Sequence, residues 1–309
     1  MPLVSVVIPC HNYGRFLSDA INSVLAQTHT DIELIVVDYE STDETEQIAA
    51  EYPEVRYLRR PNRGYAAARN DGLRASAGEF VLFLDADDRL LPDAVKSSVS
   101  CLQTHQDCAF AYGHIRYFDA SGPAPHRGAG PAGCLDDDDP YAWMLRTNSP
   151  LRISGSVLYR RRLLEAAGGY ADALRLAEDV DLHMRLARAH PICCNDTTVL
   201  EVRLHGAHTS RRWRIGLASA IAAQKRQRPY VDEHPKYSDD YRSGLRAARS
   251  YWGGHLAEET ISLAAAGEAG GAIRNALALA RFHPAGLTDV ARFVVQRLQQ
   301  RIASWTSSK

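Results

Sequence analysis

No 18-residue window of this 309-residue chain is apolar throughout, so no segment reads as a bilayer span. Met1 leads straight into an apolar stretch with no basic flank, which gives no secretory signal pattern. Six cysteines (Cys10, Cys101, Cys108, Cys134, Cys193 and Cys194) form no C-x-x-C pair. They read as reduced thiols of a cytoplasmic protein, neither a zinc site nor a disulfide framework. The turn after the first apolar stretch, Pro9-Cys10-His11-Asn12-Tyr13-Gly14-Arg15, has a single glycine. A dinucleotide oxidoreductase needs G-x-G-x-x-G there, and a nucleotidyltransferase is expected to carry a glycine-rich phosphate loop. The basic residues Arg211, Arg212, Arg214, Lys225, Arg226 and Arg228 lack interleaved aromatics apart from Trp213. Without a stacking platform they give no reason to expect a nucleic-acid partner.

What is present fits an ordinary globular protein. Hydrophobic residues make up 45% of the chain, and the length suits one large domain with an appendage. Net charge is −1 but unevenly spread. Residues 1–205 carry 20 Lys and Arg against 29 Asp and Glu, net −9, whereas 206–309 carry 16 against 8, net +8. A basic tail on an acidic body suits an anionic surface or partner, and equally a set of solvated helix faces.

Hydrophobic periodicity predicts strands at Val4–Pro9, Ile32–Asp38, Val55–Leu58, Phe80–Leu84, Ala109–Phe118 and Ile153–Tyr159. Helices are predicted at Phe16–Gln27, from Thr42 (as N-cap) onward, at Tyr65–Ala75, Leu91–His105, Arg161–Ala167 and Asp179–Ala189. Such alternation implies a mostly parallel sheet covered on both faces. Residues 119–135 read as a loop. Asp136 to Asp139 precede Pro140, a pattern of helix start more than of metal binding. Beyond about residue 210 the chain reads as helical, with a hairpin at Tyr251–Ala266 and Ala272–Phe282. In the tail, Val290, Phe293, Val294, Leu298, Ile302 and Trp305 share one stripe. That stripe either docks on protein or lies at a membrane interface.

Chemistry concentrates at four places. Phe83-Leu84-Asp85-Ala86-Asp87-Asp88 ends a buried strand in three carboxylates, a placement that costs stability without a cation. Asp85 and Asp87 suit Mn²⁺ or Mg²⁺ carrying a phosphate ligand, while Asp88 is equally suited to capping the next helix. Asp38 ends the second strand, where an acid suits recognition of a base or ribose. In Asn62-Arg63-Gly64-Tyr65-Ala66-Ala67-Ala68-Arg69-Asn70, Arg69 offers a fork for a phosphate or base carbonyl, or else braces the sheet against a neighbouring acid. Glu178-Asp179 starts a helix. The macrodipole favours acids there, and Asp179 also suits a general base.

Together these segments resemble family 2 glycosyltransferases over residues 3 to about 210. The opening, with Pro9, Asn12, Ser23, Gln27-Thr28 and Asp38, is similar to the family's, and so are "NRGYAAARNDG", "GEFVLFLDADD", "GGY" and Glu178-Asp179-x-Asp181. The resemblance implies an α/β fold of GT-A type: a doubly wound, mixed but mostly parallel sheet over 1–210, followed by a helical region over 211–309. Residues 1–118 would form the nucleotide-binding half and 119–210 the acceptor and catalytic half. It further implies that Pro9, Asn12, Asp38, Arg69 and Asp85 bind the nucleotide, and that Asp87 and Asp85 hold the metal. His205 would be a third metal ligand, Glu178 and Gly155 would lie at the sugar, and Asp179 would be the base. The expected partners are a nucleotide-sugar donor, most simply a UDP-sugar, and a glycan or lipid-linked acceptor, with peripheral membrane contact through the tail as one option. The alternative is an inactive sugar-nucleotide-binding scaffold of the same fold. One departure stands out. Tyr39-Glu40 replace the family's Asp-Gly after Asp38, and glycine there would permit positive φ, so a reshaped turn is expected.

Overall fold

A computed structural model describes residues 1–125, 134–150, 153–205, 212–288, 290–293, 295 and 299. It divides into two compact units, Met1–Met144 with Ser149–His208, and Leu145–Asn148 with Thr209–Lys309.

The first unit is built on a nine-stranded mixed sheet. Strand β1 (Val4–Cys10) lies between β2 (Ile32–Asp38) and β4 (Phe80–Phe83), and β3 (Val55–Arg59) is the outer neighbour of β2; all three pairings are parallel. Every residue of β1 is buried, as expected where helices cover both faces. Helix α1 (Gly14–Leu25) packs in the cluster of Val4, Val6 and Ile8, together with α2 (Thr45–Ala50). Helix α3 (Tyr65–Ala75) covers the opposite face at Val7 and Val37, where a Cβ on Gly72 would meet Val7 Cγ1 at 2.2 Å. Only glycine lets this helix approach so closely.

Beyond β4 the sheet turns largely antiparallel. Strand β8 (Val157–Arg160) pairs antiparallel with both β4 and β6 (Phe110–Asp119), and β6 runs parallel to β9 (Cys193–Arg203). Two short strands, β5 (Arg89–Leu90) and β7 (Gly122–Ala124), pair antiparallel with β9 and β6. The sheet is mixed, as expected: the first four strands run parallel, and β8 reverses the direction. Helices α4 (Ala94–Thr104), α5 (Pro140–Thr147), α6 (Arg161–Ala166) and α7 (Glu178–Ala187) complete the order.

Several local expectations need correction. Helix α2 begins at Thr45, and its start is held by Asp43, not Thr42. The Asp43 carboxylate accepts Thr45 N–H at 3.1 Å and Gly14 N–H at 2.9 Å, serving α1 and α2 together. Ser154–Ser156 form a 3₁₀ turn, so the strand predicted from Ile153 starts only at Val157. The 119–135 segment contains β7, and its residues 126–133 lie outside the described residues. Cys134 and Cys194 form a disulfide, so the six cysteines are not all free thiols. Their sixty-residue separation gave no signal in the sequence. Asp139 behaves as read: its carboxylate accepts Ala142 N–H at 2.9 Å and caps α5.

The second unit is helical where described: α8 (Trp213–Arg226), α9 (Arg228–Glu233), α10 (Ser238–Ala266) and α11 (Ala269–Phe282). Helix α10 is longer than the hairpin arm predicted from Tyr251, and Gly267 at φ +81° makes the turn into α11. The Trp213 ring of α8 stacks on His255 of α10 at 4.3 Å. The buried Gln224 side chain donates to the carbonyls of Leu145 and Tyr241 and accepts from Asn148. No described helix is long and apolar enough to cross a membrane. Of the tail stripe, Val294, Leu298, Ile302 and Trp305 lie outside the described residues.

Candidate active site

The segment that follows the carboxyl end of β4 is joined through Arg69 of α3 to the start of α7, at the end of the sheet where open α/β folds bind ligands. Past β4 the chain turns sharply, with Asp88 N–H donating to the Asp85 carbonyl at 3.1 Å. One carboxylate oxygen from each of Asp85, Asp87 and Asp88 lies within 4.8 Å of the others. Asp88 is buried and accepts Arg203 N–H at 3.0 Å. It does not cap α4, which starts six residues later, at Ala94. His205 Nε2 stands 2.8 Å from Asp87 Oδ2, and Arg203 Nε donates to the Asp87 carbonyl at 2.9 Å. Burial, and then the Asp85 charge, raise the Asp87 carboxyl above its ordinary range. Burial followed by both neighbouring charges raises Asp88. Crowded carboxylates beside an imidazole form an oxygen-rich donor set of the kind Mg²⁺ and Mn²⁺ accept, so the residues fit such an ion.

Three residues of the family-like opening hold this segment in place. Ser23 Oγ accepts Leu90 N–H at 3.0 Å, and Gln27 accepts Val95 N–H at 3.0 Å while donating to the Leu91 carbonyl at 2.7 Å. Thr28 Oγ1 donates to Asp93 at 2.7 Å. The end of helix α1 and the turn after it thus fix the chain that follows the carboxylates.

Arg69 is 3% exposed, and both of its terminal nitrogens are engaged within the protein. Its guanidinium donates to Glu178 Oε1 at 3.0 Å and Asp85 Oδ1 at 3.3 Å. The Tyr65 and Tyr170 rings lie against it, at 4.1 and 4.9 Å. Of the two readings of Arg69, bracing against neighbouring acids matches this geometry. It ties the metal-type aspartate to the residue preceding Asp179. Asn70, next on α3, donates to the Tyr170 carbonyl at 2.8 Å and accepts Tyr170 N–H at 2.9 Å. Those bonds lock the Gly168-Gly169-Tyr170 turn onto the helix.

At the other end, Asn12 joins the β1–α1 and β2–α2 turns. Its N–H donates to Ser41 Oγ at 3.0 Å, and its side-chain carbonyl accepts Thr42 N–H at 2.8 Å. Pro9 lies opposite Val37 in the sheet. The Asp38 carboxylate has no exposed surface; it accepts Ser41 N–H at 2.8 Å, Tyr57 OH at 2.5 Å and Arg59 at 3.4 Å. Glu40 adopts φ +63°. A residue with a Cβ thus takes up the left-handed conformation in this turn. Tyr39 stacks on His11 with ring centroids 5.0 Å apart.

Asp179 sits on the first turn of α7, where its Oδ1 accepts Val180 N–H at 2.8 Å. Burial raises its carboxyl and Arg69 opposes that rise; the Asp85 charge adds to it, so the two acids feel each other. Glu178 is pushed up to about 7 by burial, with Arg69 again opposing. Gly155 is a packing glycine. A Cβ there would meet Leu200 at 3.0 Å and Leu84, which precedes Asp85, at 3.5 Å.

The structure thus gathers Asp85, Asp87, His205, Arg69, Glu178 and Asp179. Asp38 and Asn12 serve the adjoining turns, and Gly155 packs in the core. Sequence reasoning missed Tyr65, whose hydroxyl donates to Asp85 Oδ1. It also missed Tyr170 and Arg203. The only signal for Tyr65 was its position four residues before Arg69, one helical turn away.

A model of glycosyl transferase family 2 matches residues 5–168. The chain belongs to that family. A glycosyltransferase of Rickettsia conorii, itself uncharacterized, is 30% identical over 214 residues, 68% of this chain and 35% of the relative. Chondroitin synthase of Escherichia coli is 28% identical over 219 residues, 68% of this chain and 30% of the relative. The chain spans about a third of the length of these curated relatives. Among solved structures, S. aureus TarS 1–349 in complex with UDP-GlcNAc aligns with TM-score 0.59 at 17% identity, covering 88% of this chain and 89% of that one. Mannosyltransferase PcManGT from Pyrobaculum calidifontis, in complex with GDP-Man and Mn²⁺, aligns with TM-score 0.57 at 19% identity, covering 96% and 87%. At these identities the likeness concerns the fold, and the family 2 chain shares the mixed α/β architecture of these transferases.

Proposed function

We propose that this family 2 chain is a metal-assisted, inverting glycosyltransferase that moves a sugar from a nucleoside-diphosphate sugar to an acceptor hydroxyl. The observation that carries this reading is the convergence of Asp85 and Asp87, beside His205, with Asp179 on the first turn of α7. Asp87, Asp85 and His205 would hold the ion, which supplies positive charge to the diphosphate as it leaves. Asp179 takes the proton of the acceptor hydroxyl. That oxygen bonds to the anomeric carbon from the face opposite the diphosphate, the bond from that carbon to the phosphate oxygen breaks, and the nucleoside diphosphate departs. Arg69 keeps Asp85 and Glu178 in fixed register, and Tyr65 orients Asp85 through its hydroxyl.

The donor is proposed to be a UDP-sugar, since one fold neighbour holds UDP-GlcNAc. Another holds GDP-Man with Mn²⁺, which makes a guanosine donor the natural competitor and Mn²⁺ the first ion to try. Nucleotide contacts are proposed for Pro9, Asn12 and the Asp38 turn, with Glu178 and the backbone at Gly155 nearest the sugar. The boundary of the transferase domain is proposed at about residue 210. A glycan or lipid-linked acceptor, used on the cytoplasmic side of a membrane, matches the net +8 of residues 206–309.

The test is Asp179→Asn. Transfer to acceptor should fall by at least ~10²-fold, the contribution of a general base, with donor affinity within a few-fold of the parent. Retained transfer contradicts the assignment. Product NMR should show an inverted anomeric centre, and retention of configuration contradicts the single-displacement reading.

A further inference from the structure

A second cluster of metal-ligating side chains lies away from the carboxylates, where the end of α4 meets β9. Cys101 and His105 are one helical turn apart, Cys108 follows in the turn after α4, and Cys193 faces them from the first residue of β9. Cys101 Sγ and Cys193 Sγ are 3.0 Å apart, inside ordinary non-bonded contact. His105 Nδ1 is 4.0 Å from Cys101 Sγ. Ligand atoms of Cys101, His105 and Cys193 all lie within 4.8 Å of one another. The Cys108 thiol lies near enough to Cys193 for each to shift the other's titration.

We propose that Cys101, His105, Cys108 and Cys193 form a zinc site that pins the end of α4 to β9. Three sulfurs and one imidazole nitrogen are the soft, tetrahedral donor set of structural zinc. Zinc–sulfur bonds of about 2.3 Å place neighbouring sulfurs about 3.8 Å apart. The Cys101–Cys193 separation of 3.0 Å is shorter than that, so the two thiols would open by about 0.8 Å to admit the ion. A simple disulfide between Cys101 and Cys193 would leave Cys108 and His105 without a part in the cluster. A surface opening of about 350 Å³, whose lining includes Cys101, His105 and Asn195, gives an ion access. Asn195 donates to Ser98 Oγ at 2.9 Å, so the metal would reinforce an existing helix–strand tie. Binding displaces the thiol protons to solvent, and affinity should therefore fall at acid pH.

The experiment uses the full chain purified anaerobically, with zinc counted by elemental analysis and cobalt as a spectroscopic substitute. One zinc per chain is expected. Cobalt should give thiolate-to-metal charge-transfer absorption, which carboxylates cannot produce. Cys101→Ser and Cys193→Ser should each weaken zinc binding at least tenfold. Asp87→Ala, and the Cys134→Ser/Cys194→Ser pair, should leave both zinc and absorption in place. Failure of the Asp87 variant to bind Mn²⁺ would thus bear on the transferase reading alone. Where a variant folds poorly, a zinc-dependent rise in the melting temperature of the parent chain gives the same answer. Absence of zinc and of the absorption band overturns the proposal. So does a Cys101–Cys193 disulfide in the anaerobic protein, or a zinc that follows Cys134 and Cys194.

Discussion

Glu40 illustrates how one residue can be out of character without changing the fold. At φ +63° its Cβ crowds the backbone, a conformation that costs an ordinary residue about 1–2 kcal/mol. Glu40→Gly should therefore raise stability by about 1 kcal/mol, read as a higher melting temperature; an unchanged or lower melting temperature contradicts the strain. At the same scale, Glu178 has its carboxyl pushed up to about 7 by burial. The folded chain keeps that proton where the unfolded chain loses it. The group's contribution is thus fully present below the unfolded value near 4.5 and is lost as pH rises through about 7. Glu178→Gln should flatten this fall in a pH series of denaturant melts, and an unaltered slope would place the titration elsewhere. The Asp179 carboxyl is likewise raised by burial, so the acid limb of kcat/KM should lie above the ordinary aspartate range of about 3.9.

At the scale of elements, the first half of the fold was legible and the second only in part. The spans of β2 and α3 were readable to the residue because each is bounded by clear signals: apolar β-branched runs ending in Asp38, and Gly64 ahead of Tyr65. Strand β9 was invisible. It opens on Cys193-Cys194-Asn195-Asp196-Thr197, polar and without alternation, and Asp196 sits at φ +50° where the register with β6 shifts. Site residues on short motifs were legible for the same reason that elements were. The Arg69–Glu178 pair was not, because 109 residues separate its members. Gly72 provides the element-scale test. Gly72→Ala drives a Cβ into Val7 and should destabilise by about 1–3 kcal/mol by lifting α3 from β1. Asp43→Ala should cost about 1–2 kcal/mol, since one carboxylate serves the starts of two helices. Melts within a few tenths of the parent would contradict either reading.

Over the whole molecule, the fold gathers Asp85, Asp87, His205, Arg69 and Glu178, from the ends of β4 and β9 and from α3 and α7, into one cluster. The resemblance covers the first unit, whereas the helical unit carries the positive charge and none of the site residues named here. The central claim is that Asp85 and Asp87 bind a divalent ion that in turn holds a nucleoside diphosphate. Calorimetric titration of UDP, GDP and TDP into the full chain, with and without Mn²⁺, addresses it most directly. Metal-dependent binding of UDP, lost in Asp87→Ala, is the predicted result. A preference for GDP would move the donor assignment while keeping the site. Binding of no nucleotide under any condition would contradict the account and leave a non-catalytic scaffold of the same fold.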